Sequence, residues 1–107
     1  MPLQDPPLSA KALRPPVILL TATLRWPIAA RLALAFAGLG CRVEVLCPRG
    51  HPATCTAAVA RRHGHSTWRP LASLHAAVVA AAPDLIVPCD DDAALLLQRL
   101  HEQADPA

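Results

Sequence analysis

Three consecutive aspartates, Asp90-Asp91-Asp92, follow the apolar run Leu85-Ile86-Val87-Pro88. Carboxylates suit a hard divalent cation or a substrate amine. Consecutive residues at a helix start point in different directions, however, and capping alone explains Asp90 and Asp91. Substrate contact is the functional alternative, and a metal the third reading. A second group lies after another apolar run: Thr21, Thr23 and Arg25, just ahead of Pro27. Hydroxyls and a guanidinium at a helix N-terminus suit an anion, because free N–H groups and the helix dipole favour negative charge there. Ordinary loop structure is the competing reading.

Two sets of soft ligands complete the inventory. Cys47, His51 and Cys55, with His63 or His65 near, have side-chain types that zinc accepts. Their spacing matches no common finger, and Pro48 and Pro52 restrict the loop. A buried Cys47, a surface His51 and a Cys55 at a helix start is the default. Cys89 could act as a nucleophile only with a histidine and a third group to orient it. No such group stands out, so no residue is assigned a catalytic role and none a metal.

These groups need elements to hold them. Val17-Ile18-Leu19-Leu20-Thr21 is an unbroken apolar run and predicts a central parallel strand covered on both faces. Residues 27–39 predict a helix: Pro27 suits its first turn, Ile28, Leu32, Ala35 or Phe36, and Leu39 form a stripe, and Gly38 and Gly40 end it. Arg42-Val43-Glu44-Val45-Leu46-Cys47 predicts a second strand. Residues 53–63 predict a weaker helix ended by Gly64, and residues 66–69 a short edge strand. The alanine-rich segment 71–82 predicts a helix with Leu71, Leu74, Val78 and Val79 inward, stopped by Pro83. Residues 84–88 predict a fourth strand. Asp90 caps a last helix over 91–102, sealed by Leu95, Leu96 and Leu100.

Strands alternating with helices build a doubly wound parallel sheet. The expected strand order is 3-2-1-4, with its reversal between strands one and four. Such sheets hold ligands at the carboxyl ends of the strands beside that reversal. The loops 21–26 and 89–92 converge there.

The bulk numbers exclude several classes. A chain of 107 residues is one domain, and 53% hydrophobic against 17% charged residues excludes wholesale disorder. Aromatic residues are 3%, too few for nucleic-acid binding by base stacking. The arginines are scattered and the net charge is +2, so no nucleic-acid footprint stands out. No GxGxxG lies in the first strand–helix turn, and no glycine occurs between Val17 and Ala37, so a dinucleotide is not expected. No CxxC pair, secretory signal or membrane-length apolar run is present, which points to a reducing cytoplasm. Residues 1–16, rich in proline, read as a mobile leader. Residues 17–103 form the domain and 104–107 a tail. Trp26 and Trp68 stand in a turn and at an edge. Each either packs a helix end or marks a contact with another domain.

Four pieces taken together resemble a known module. They are Val17-Ile18-Leu19-Leu20-Thr21, Ala29-Ala30-Arg31-Leu32-Ala33, Gly40-Cys41-Arg42-Val43-Glu44-Val45, and Pro83-Asp84-Leu85-Ile86-Val87-Pro88-Cys89-Asp90-Asp91. In this order they resemble the N-terminal, pre-ATP-grasp domain of the ATP-grasp superfamily, over residues 16–102. The resemblance implies an α/β fold: a three-layer Rossmann-like parallel sheet of about four strands with helices on both faces. It implies substrate-side contacts from Thr21, Thr23, Arg25, Cys89, Asp90 and Asp91. ATP and magnesium are implied for a full-length ATP-grasp protein, on residues that follow this module, and no cofactor is expected on this chain. The expectation is a fragment, or a chain that works with an ATP-grasp domain or partner chain, non-catalytic alone. A self-associating module, as a homodimer, is the alternative. The N-terminal half of a two-domain glycosyltransferase is the third reading, which the acidic turn after Pro88 disfavours. Neither nucleic acid nor membrane is an expected partner.

Overall fold

The computed structural model describes residues 14–25, 27–51 and 56–104. Most of the leader, Trp26, and Cys55 of the candidate zinc set lie outside them. The sheet is built from β1 (Val17–Thr21), β2 (Arg42–Cys47), β3 (Val59–Gly64) and β4 (Leu85–Pro88). The helices are α1 (Ile28–Gly38), α2 (Pro70–Ala81) and α3 (Asp91–Ala104). All three strand pairings are parallel, and the order is β3-β2-β1-β4. This is the expected α/β sheet, with its reversal between β1 and β4.

β1 shows why an unbroken apolar run suits the centre of the sheet. Ile18 and Leu20 face α1, together with Ala29, Ala33, Val43, Val45 and Cys47. Leu19 points the other way, into a cluster with Leu46, Leu74, Ala77 and Ala81, where Leu96, Leu97 and Leu100 of α3 also pack. Alternate side chains of one strand thus feed two cores. Leu19 and Leu20 are both fully buried, and truncating either to alanine removes about 2–5 kcal/mol.

The third strand is not where the sequence places it. The helix predicted over 53–63 gives way, in its described part, to a turn at 56–58 and strand β3, and residues 67–69 form bends rather than a strand. Pairing overrides local propensity here. β3 lies in register beside β2 with an irregularity at Val43/Glu44, and His63 reaches back to the buried Glu44 carboxylate. Gly64 therefore ends a strand, not a helix.

Two helix faces are also rotated from the predicted stripes. In α1 the buried residues are Ala29 and Ala33, while Ile28 and Leu39 are exposed. In α2 they are Leu74, Ala77 and Ala81, while Val79 is exposed. Alanine brings each helix backbone close to the sheet, and the larger side chains flank the contact. Pro27 caps α1 instead of occupying its first turn, and Gly40 takes the left-handed turn at φ 87°. The edges of β1 and β4 are stitched at their amino ends by Val17 N–H to Asp84 Oδ2 at 2.8 Å, and by Asp84 N–H to the Val17 carbonyl at 2.8 Å.

Candidate functional site

At the opposite, carboxyl ends of the strands, Asp90 ties two distant loops together. Its Oδ2 accepts from Thr23 N–H at 2.7 Å and Leu24 N–H at 3.0 Å. Its Oδ1 accepts from the Thr23 hydroxyl at 2.8 Å and from Ala93 N–H at 2.8 Å. One carboxylate therefore caps α3 and fixes the turn after β1. Burial raises the Asp90 pKa, but the bonds from Ala93, Thr23 and Leu24 outweigh it, and the carboxyl sits below its usual value. Backbone bonds close the same seam, from Cys89 N–H to the Thr21 carbonyl and from Ala22 N–H to the Leu46 carbonyl, both 2.8 Å.

Beside this clamp opens a cleft of about 350 Å³. One wall is Thr23 and Leu24. A second is His65 and Thr67, from the segment joining β3 to α2, with Pro70 at the start of α2. The third is one face of α3, namely Asp92, Leu95, Leu96 and Arg99. A smaller niche of about 10 Å³, sharing Thr23, His65 and Leu96 with the cleft, is also lined by Thr21, Leu46 and Leu74. Its volume suits one water-sized group. Two buried polar atoms without a protein partner belong to residues that line it, Thr21 Oγ1 and His65 Nδ1. Thr21 is 2% exposed. Burial lowers the His65 pKa, and the Asp90 charge acts against that without reversing it.

The structure separates the six substrate-side candidates. Thr23 lines the cleft and Thr21 the niche, whereas Asp90 spends its oxygens on the clamp. Arg25 turns away from the cleft, and its Nε donates to the Arg49 carbonyl at 3.0 Å. Cys89 lies against the strand end, with Sγ 3.8 Å from the Val87 carbonyl. Burial and the Asp90 charge push its thiol up to about 11, so it is no ready nucleophile. Asp91 is exposed in the first turn of α3 and lines neither cavity. The next residue, Asp92, is the aspartate that reaches the cleft.

His51 is a correction: it is fully buried, not on the surface. Burial depresses its pKa, and a hydrogen bond to the Leu24 backbone opposes the shift. Cys47 is buried too, and burial raises its thiol pKa. Among the described residues no group of three His, Cys, Asp or Glu could hold a metal ion. Of the cleft residues only Thr23 is among the six candidates; Leu24, His65, Thr67, Pro70, Asp92, Leu95, Leu96 and Arg99 are not. A helical spacing of i, i+3, i+4 and i+7 from Asp92 marks the α3 face that contributes four of the lining residues.

With this geometry in view, the chain was compared with family models, curated proteins and solved structures, and none matches it.

Proposed function

We propose that this domain is a ligand-holding α/β platform, non-catalytic by itself, that presents a small substrate to an ATP-grasp domain in the same or a partner chain. The convergence of the turn after β1, the segment after β3 and one face of α3 on one cleft beside the strand-order reversal carries the ligand-holding part. The ATP-grasp part rests on the resemblance of the four sequence pieces. In this reading ATP and magnesium belong to the ATP-grasp domain, and the turn after β1 lacks the glycines that let a backbone approach phosphates. No step through ATP is assigned to this chain. Its own residues bind and orient: the Asp90 clamp fixes the Thr23–Leu24 wall, and α3 supplies the opposite one.

An NMR titration with a small-fragment library and, separately, with magnesium-ATP tests this reading. Fragments should move the amide signals of Thr23, Leu24, Leu96 and Arg99, and magnesium-ATP should move none. Low-micromolar binding of magnesium-ATP to the chain alone, or fragment shifts confined to another surface, would overturn it. The second reading, a self-associating module, is favoured by the outer edge of β4, which pairs with no strand among the described residues.

A further inference from the structure

The third wall of the cleft carries opposite charges at its two ends. Asp92 and Arg99 lie seven residues apart on α3, with Leu95 and Leu96 between them, and all four line the cavity. Seven residues of helix rise about 10 Å, and they return to nearly the same face after two turns. Neither charged side chain has an ion-pair or hydrogen-bond partner among the described residues. The facing walls add hydroxyls at Thr23 and Thr67 and the ring of His65. Beneath them the deeply buried Thr21 Oγ1, with no partner of its own, belongs to the adjoining niche.

We propose that the cleft takes an elongated zwitterion, with its ammonium on Asp92, its carboxylate on Arg99 and its middle over Leu95 and Leu96. The ligand chemistry is an ammonium and a carboxylate separated by an apolar stretch, as in a short extended peptide or a long ω-amino acid. The carboxylate end suits the guanidinium fork, which can make two parallel hydrogen bonds. The apolar stretch between the charges suits a linear methylene or peptide segment. A molecule with both charges on one carbon, such as glycine, satisfies only one end. The niche then takes one small polar group, a water or a ligand carbonyl or hydroxyl, between Thr21 Oγ1 and His65 Nδ1. This proposal rests on the ligand-holding reading and adds its charge pattern.

Isothermal titration of the full chain with triglycine, ω-aminooctanoate, octanoate, octylamine and glycine tests it. Triglycine separates the peptide source from the ω-amino acid source, represented by ω-aminooctanoate. At least one of these two should bind, and octanoate, octylamine and glycine should bind about fivefold more weakly or not at all. Asp92→Asn and Arg99→Gln should each weaken the zwitterion about fivefold. Asp92→Asn should not weaken octanoate, and Arg99→Gln should not weaken octylamine. Both side chains are exposed, so circular dichroism of each variant should match the parent. The double exchange Asp92→Arg with Arg99→Asp should restore binding in the reversed orientation. Equal affinity for octanoate and ω-aminooctanoate would overturn the paired-charge site while leaving the crevice intact. Binding of none of the five probes would also overturn it, and the fragment titration would then show whether the crevice itself fails.

Discussion

Asp90 does more than its sequence position suggests. As a helix cap it needs one bond, to Ala93 N–H, yet it also accepts three from Thr23 and Leu24, 67 and 66 residues away. Asp90→Ala should therefore cost about 2–4 kcal/mol, more than the ~1 kcal/mol of a simple cap, as read from the urea midpoint. Glu44 is the second buried carboxylate. Its Oε1 lies 2.7 Å from His63 Nε2, which donates, and its Oε2 accepts from Arg42 Nε at 3.0 Å. Burial raises the Glu44 pKa, but the His63 and Arg42 interactions outweigh it, and the net shift is downward. A carboxyl with a depressed native pKa stabilises the fold above its unfolded pKa, near 4, and loses that contribution as pH falls through the native value. His51 and His65, also depressed, start the loss earlier, below about pH 6.5, because the unfolded chain binds their protons first. Stability should thus fall as pH drops from 6.5, and more steeply below about 4. Glu44→Gln and Asp90→Asn should each flatten the acid limb in pH-dependent urea melts. An unchanged limb in both would contradict these shifts.

Among the elements, α2 ends against its own local preference. Ala82 takes the left-handed conformation at φ 47°, and its N–H donates to the Val78 carbonyl at 2.9 Å. The following Pro83 disfavours the right-handed helical region for Ala82, so the helix cannot continue. A Cβ is unfavourable in that left-handed cap. Ala82→Gly should accordingly raise stability by about 0.5–1 kcal/mol, seen as a higher urea midpoint with an unchanged slope. β3 makes the complementary point. Alanines and arginines give residues 57–62 a helical pattern, yet β2 offers an open row of backbone groups, and filling it decides the outcome. The strands at Val17, Arg42 and Leu85 were legible because their apolar runs are short and bounded by glycine or proline. The faces of α1 and α2 were not. Alanine carries little hydrophobic signal, so which side it buries depends on how close the sheet approaches.

For the whole molecule, the two sheet edges are unequal. β3 presents Arg61 and Arg62, and charged residues of one sign discourage another chain from pairing there. β4 carries Leu85, which is 49% exposed, and its outer edge has no partner among the described residues. Trp68 is 92% exposed in the segment that leads into the cleft-lining Pro70. If β4 is the self-association edge, light scattering should give a mass above one chain, and Leu85→Lys should reduce it. A single-chain mass across working concentrations would remove that reading and leave the cleft proposals standing. The described part contains no helix long and apolar enough to cross a membrane.

The amino-acid order by itself determined the parallel α/β class, the 3-2-1-4 arrangement and the crevice at the strand ends where the loops after β1 and β4 meet. Those follow from periodicity and from the rules that connect twisted strands. Only the tertiary structure decided which side chains face that place. It gave Asp90 to the clamp, Arg25 to the Arg49 carbonyl and β3 to residues once legible as helix, and it brought Asp92, Arg99 and His65 to the cleft. The reason is physical: hydrogen-bond partners 66 residues away and an unpaired neighbouring strand outweigh local preferences that differ by a fraction of a kcal/mol.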